Sequence, residues 1–142
     1  MDITINDVYG GVMGALDERF PSVPHQGEDA EPQADGERFL ITLSPVEQAR
    51  AIGPRRLRSY RFDIQYIAPA GSGYEAIFDV IELLFECMEQ IEVGGHSIRG
   101  SDMRYEFTEG KMHFYVTYQL HMRVESASLP SMQRMDQEVS VI

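Results

Sequence analysis

Two periods of apolar and polar residues run along the chain, and the switches between them divide it into elements. From Asn6 to Phe20 the apolar residues Val8, Val12, Leu16 and Phe20 recur every four positions, the spacing of one stripe on a helix. Asn6 is the N-cap this pattern suggests and Pro21 ends it. Gly10, Gly11 and Gly14 each cost up to roughly 1 kcal/mol of helix propensity, so this helix must lean on tertiary or intersubunit packing. A second helical stripe, Ile77, Val80, Ile81, Leu84, Phe85, Met88 and Ile91, follows the turn-rich Pro69-Ala70-Gly71-Ser72-Gly73 and is the main core helix.

Elsewhere the period is two. Phe39, Ile41 and Leu43 alternate in a strand that Ser44-Pro45 stops, and Ala49 to Pro54 reads as irregular. Between Leu57 and Ile67, Tyr60, Phe62, Ile64 and Tyr66 point one way and Arg61, Asp63 and Gln65 the other. Ile91–Val93 and Ser97–Arg99 flank Gly94-Gly95, a dipeptide suited to a tight hairpin. Met103–Thr108 and Lys111–Val124 flank Glu109-Gly110 in the same manner, and the second arm alternates from Met112 through Phe114, Val116, Tyr118, Leu120 and Met122. Pro24 to Glu37 has no period and reads as an exposed acidic loop, with a short extended piece at its start. The order of elements predicts an α+β fold, a mainly antiparallel sheet with two helices packed on one face. Residues 1–125 form the single domain, and 126–142 form a C-terminal tail that docks on a neighbouring subunit.

Composition narrows the function classes. A chain of 142 residues with seven Tyr and seven Phe can bury one core. No stretch approaches the ~20 apolar residues needed to cross a bilayer. The start Met1-Asp2-Ile3-Thr4 lacks the basic flank and apolar run of a signal peptide, so neither export nor membrane anchoring is expected. The single cysteine, Cys87, excludes an internal disulfide and fits a reducing compartment.

Candidate chemistry is sparse. His113 and His121 share a strand face but lie about 27 Å apart at about 3.4 Å per residue, too far for one metal. His25 and His96 lack ligands at zinc spacing. Glu28-Asp29-Ala30-Glu31 does not alternate as calcium ligands do, Gly71-Ser72-Gly73 lacks the lysine of a phosphate loop, and there is no G-x-S-x-G elbow. The reading is therefore no enzyme, no catalytic residue, no cofactor and no metal. The competing enzyme or ligand-binding reading would have to use His113, Tyr115 or His121 on the exposed strand face.

Charge adds more. The net charge of −11 opposes general nucleic-acid binding. Residues 1–37 hold nine Asp or Glu and only Arg19, whereas residues 50–61 hold Arg50, Arg55, Arg56, Arg58 and Arg61 with no carboxylate. Two accounts of that basic segment stand level: an edge strand protected by charge, or a subunit interface in which these arginines meet acidic residues such as Glu28, Asp29 and Glu31 of another copy.

Residue identities go beyond periodicity. Arg56-Leu57-Arg58-Ser59-Tyr60-Arg61-Phe62-Asp63-Ile64-Gln65-Tyr66, then Glu89-Gln90-Ile91-Glu92-Val93, then Ile98-Arg99-Gly100-Ser101-Asp102-Met103-Arg104-Tyr105-Glu106, then Gly110-Lys111-Met112-His113-Phe114-Tyr115-Val116-Thr117-Tyr118 follow in order. Together they resemble the phage tail terminator family of phages and prophages of Gram-positive bacteria. The resemblance implies a small α+β virion subunit that assembles as a ring, usually a hexamer, on the head-proximal end of the tail tube. Such a ring stops polymerisation and offers a docking face to the capsid neck. Its implied partners are further copies of itself, the tail tube protein, and sheath and neck or connector proteins, with DNA passing through the lumen without specific binding. Another head-tail connector or neck ring component is the alternative. The family has no catalytic residues to carry over, and the acidic loop from Glu28 to Glu37 departs from its pattern.

Overall fold

The structure, a computed structural model, describes residues 3–27 and 36–123. Glu28, Asp29 and Glu31 and the tail 126–142 lie outside the described residues. The elements run α1 (Ile5–Arg19), β1 (His25–Gly27), β2 (Arg38–Leu43), β3 (Glu47–Arg50), β4 (Arg55–Ile67), α2 (Tyr74–Met88), β5 (Gln90–Val93), β6 (His96–Thr108) and β7 (Lys111–Arg123). The α+β class is as expected: seven strands form one curled sheet in the order β1-β2-β4-β7-β6-β5, with β3 also on β4. All pairings are antiparallel except β1 with β2.

Both helices lie on the same sheet face. Tyr9 of α1 stacks on Phe62 of β4 at 6.3 Å, and Phe85 of α2 meets Phe114 of β7 edge-on at 5.1 Å. Phe62 and Phe114 point the same way, because Phe62 pairs with Val116 and Ile64 with Phe114 and alternate residues of a strand share a face. Val8, Val12 and Leu16 of α1 and Ile81, Leu84 and Met88 of α2 are buried against that face. The stripes read from the sequence are the ones that pack.

α1 begins two residues earlier than an Asn6 cap implies. Its N-cap is Thr4 and not Asn6: the Asp7 amide donates to Thr4 Oγ1 at 3.1 Å, and the Thr4 amide donates to Asp7 Oδ2 at 2.9 Å. This reciprocal box satisfies two otherwise orphaned amides, which Asn6, already inside the first turn, cannot do.

The glycines of α1 have opposite roles. A Cβ on Gly11 would lie 2.8 Å from the Glu92 carbonyl oxygen and 2.7 Å from Val93 Cγ2, whereas one on Gly14 would meet nothing within 4 Å. Gly11 therefore lets α1 press onto β5, and Gly14 only weakens the helix. Gly14→Ala should raise the unfolding free energy by about 0.5–1 kcal/mol, and Gly11→Ala should lower it by about 1–3 kcal/mol through overpacking. Urea unfolding of the two variants beside the parent checks both signs.

α2 ends at Met88, short of Ile91, which instead sits buried in β5. The Tyr118 hydroxyl, from β7, donates to the Met88 carbonyl at 2.6 Å and closes the helix end. Two hairpins turn as the sequence implies. Gly94 and Gly95 have φ of 56° and 83°, and Glu109 and Gly110 have φ of 53° and 76°, the paired positive values of a type I′ turn.

Two sequence readings change. Ala49 to Pro54 is not wholly irregular, since Glu47–Arg50 forms β3 against β4. All four of its residues are exposed, so it carries no apolar alternation to read. Likewise, Ser97–Arg99 and Met103–Thr108 belong to one strand, β6, pairing first with β5 and then with β7. The interruption is a register shift between Ser101 and Arg104, with Asp102 at φ 52°, a bulge that bends the strand without ending it.

Candidate assembly interface

Cross-strand register decides where each arginine of the basic segment sits. On β4, Arg56 and Arg58 share the face of Tyr60 and Phe62, while Arg55 and Arg61 lie on the opposite face. Arg50 of β3 pairs with Arg56, and Gln48 with Arg58. The structure thus gathers Arg50, Arg55, Arg56 and Arg58 at one end of the sheet on two faces. Arg61 stands apart on the uncovered face, six residues further along β4.

The electrostatics of that end are unusual. Arg50 lies directly opposite Arg56, and on the other face Arg55 lies directly opposite Arg123 of β7. Like charges placed directly across a ladder destabilise it. Among the described residues, none of these four arginines forms an ion pair. Two arginines of this end bond within the subunit: Arg56 donates to the Arg55 carbonyl at 2.9 Å, while Arg58 Nε donates to Gln48 Oε1 at 2.7 Å and Arg58 also donates to the Tyr60 hydroxyl at 3.4 Å. Arg58 is partly buried and bonded within the subunit, whereas Arg50 and Arg55 are exposed. The turn between β3 and β4 carries Ile52, which is 88% exposed.

On the uncovered face of the sheet, His113 and Tyr115, which the sequence singles out, are joined by Asp63 and Arg104, which it does not. His113 Nδ1 lies 2.9 Å from Asp63 Oδ1. The His113 ring stacks on Tyr115 at 6.1 Å, and the Arg104 guanidinium sits 4.5 Å over the Tyr115 ring. Burial comes first among the causes that push the Tyr115 phenol upward, with the Asp63 and Glu106 carboxylates adding to it. Asp63 and His113 are fifty residues apart in sequence, and only the β4–β7 register brings them together; no local motif could have shown it. His121 faces the same way but stands opposite Leu57, eight residues along β7 from His113, so the two histidines do not converge. Among the described residues, no group of three or more His, Cys, Asp or Glu could hold a metal ion. Cys87 is partly buried, and burial pushes its thiol up to about 11 despite the nearby Arg19 guanidinium, which makes it a poor nucleophile.

Arg50 opposite Arg56 and Arg55 opposite Arg123 make one end of the sheet basic. A family model described as phage tail terminator protein matches residues 7–129. The chain belongs to that family. It is therefore a structural component of the phage tail, a virion protein of tail completion and tail assembly that works among other tail proteins. A search of curated proteins finds no match. Among solved structures, one chain overlays at a TM-score of 0.47 with 11% sequence identity, covering 90% of this chain and 100% of that one; at that level the likeness carries no argument. Within the subunit of this tail terminator, the Asp63–His113 pair ties β4 to β7.

Proposed function

We propose that this tail terminator caps the head-proximal end of the tail tube as a homo-oligomeric ring, most simply a hexamer. It stops tube polymerisation there and gives the capsid neck its docking face. Family membership over residues 7–129 is the observation that carries the reading. Physical support comes from the charge layout. A ring needs heterologous contacts, in which one surface meets a different surface of the next copy and the rotation closes. A chain of net charge −11 that gathers Arg50, Arg55, Arg56, Arg58 and Arg123 at one end of the sheet is polarised in the way such contacts can use. The partners are then further copies, the tail tube protein, and the sheath and neck or connector proteins above it. The protein assembles in the host cytoplasm and resides at the head-proximal end of the virion tail. DNA passes through the lumen without specific binding, in keeping with a net charge of −11 that disfavours phosphate contacts. The domain at residues 1–125 forms the ring body, and the tail 126–142 docks on a neighbouring subunit.

Tails assembled without this protein should be tubes of uncontrolled length that fail to join heads, as seen by negative-stain imaging. Tubes of normal length joined normally to heads would overturn the reading. Labelling the protein on intact particles separates a terminator, found at the tube end, from a neck component, found against the capsid.

A further inference from the structure

Four aromatic rings touch one another near the turn from β6 into β7, yet none is covered. Tyr74 and Phe78 of α2 stack at 6.0 Å, Phe107 of β6 meets them edge-on at 5.5 and 6.4 Å, and Tyr105 meets Phe107 at 5.9 Å. Tyr74 is 66% exposed, Phe78 45%, Tyr105 44% and Phe107 36%. A contiguous exposed aromatic patch marks a contact surface. On α2 it is bordered by the exposed carboxylates Glu75 and Asp79, one helical turn apart.

The far end of the sheet carries the complement. There the β3–β4 turn presents the exposed Ile52 between Arg50 and the pair Arg55 and Arg56. Met112 of β7 pairs with Phe107, and Arg123 with Arg55. The eleven residue steps from Met112 to Arg123 span about 37 Å at about 3.4 Å each. The turn and the patch of one copy therefore cannot meet, but those of two copies can.

We infer that the β3–β4 turn of one copy docks on the aromatic patch of the next, with Ile52 against Tyr74, Phe78 and Phe107 and the flanking arginines facing Glu75 and Asp79. Apolar surface meets apolar surface and basic meets acidic. The second copy is the occupant because one chain supplies both halves of the pair in equal number. Each docking event leaves one turn and one patch open until the circle closes, as a heterologous ring requires. The carboxylates also relieve the opposed Arg50 and Arg56. The inference rests on the ring reading and adds which surfaces meet.

Disulfide trapping on tail tubes tests it. In full-length protein carrying Cys87→Ser, one preparation has Ile52→Cys and another Tyr74→Cys. The two are mixed with purified tubes, oxidised mildly and run on a non-reducing gel. A linked dimer is expected in the mixture and in neither preparation alone, and a chain carrying both cysteines should give a ladder of linked copies. Ile52→Asp, at a site too exposed to disturb folding, should weaken self-association at least tenfold, with Ile52→Leu close to the parent. If the unmodified protein sediments with tubes as an oligomer while the mixture stays unlinked and Ile52→Asp assembles normally, this interface is overturned and the ring survives. A link to the tube protein instead overturns the choice of partner. An unmodified protein that stays monomeric on tubes removes the ring and this interface together.

Discussion

Phe62→Ala should lower the unfolding free energy by about 3–5 kcal/mol, the range for emptying a fully enclosed aromatic site. Phe62 is 1% exposed and lies where three elements meet. It stacks with Tyr9 of α1, contacts Tyr118 of β7 edge-on at 6.0 Å, and pairs across the ladders with Leu43 and Val116. Ala leaves a cavity that β4, held on both edges, cannot close by moving. Urea unfolding followed by circular dichroism measures the loss. Leu57→Ala, on the uncovered face of the same strand, is the internal comparison and should cost clearly less, because Leu57 is only partly buried. Equal losses at the two positions would mean that α1 and α2 do not cover the Phe62 face.

The second large effect is on assembly. Arg55→Glu combined with Arg56→Glu should strongly weaken self-association while leaving the isolated subunit as stable as the parent or slightly more so. In the subunit, Arg56 opposes Arg50 and Arg55 opposes Arg123, so reversal converts two like-charged oppositions into attractive ones, each worth about 0.2–1 kcal/mol. At the proposed interface the same change sets acid against acid. Sedimentation velocity should show the defect at about 50 mM salt, where exposed charges interact over more than about 10 Å, and show it reduced at about 500 mM, where they are screened. Assembly equal to the parent at low salt would remove these arginines from the interface. Arg58 is left intact in this test because its bonds to Gln48 and Tyr60 lie within the subunit, so altering it would mix folding with assembly.

The elements that could be read in advance are those whose period is set by burial on one side. Val8, Val12 and Leu16 fall every four residues because one face of α1 is dry, and Tyr60, Phe62, Ile64 and Tyr66 fall every two because one face of β4 is dry. β3 was missed for the converse reason: with every residue exposed, its pairing is written only in backbone hydrogen bonds to β4. The bulge in β6 looked like a break because Gly100-Ser101-Asp102 is also what a loop is made of. The interface candidates were half legible. Five arginines without a carboxylate stand out in any reading of residues 50–61, but adjacent strand positions face opposite ways, so nearness in sequence is not nearness on a surface. The aromatic patch was beyond reach, since Tyr74 and Phe78 come from a helix and Tyr105 and Phe107 from a strand about thirty residues on.

By itself the sequence determined the α+β class, the two helical stripes, the two hairpin turns and the ordered landmarks that resemble tail terminators. These rest on local periodicity and on residue identity, which need no knowledge of what packs against what. Only the tertiary structure decided the rest: that Arg50 opposes Arg56 and Arg55 opposes Arg123, that Asp63 reaches His113, and that an exposed isoleucine and an uncovered aromatic patch stand at opposite ends of one sheet. Each of those depends on strand register, fixed between β4 and β7 by burying their shared face and between β3 and β4 by backbone hydrogen bonds. A slip of one residue would turn every one of those side chains to the other side.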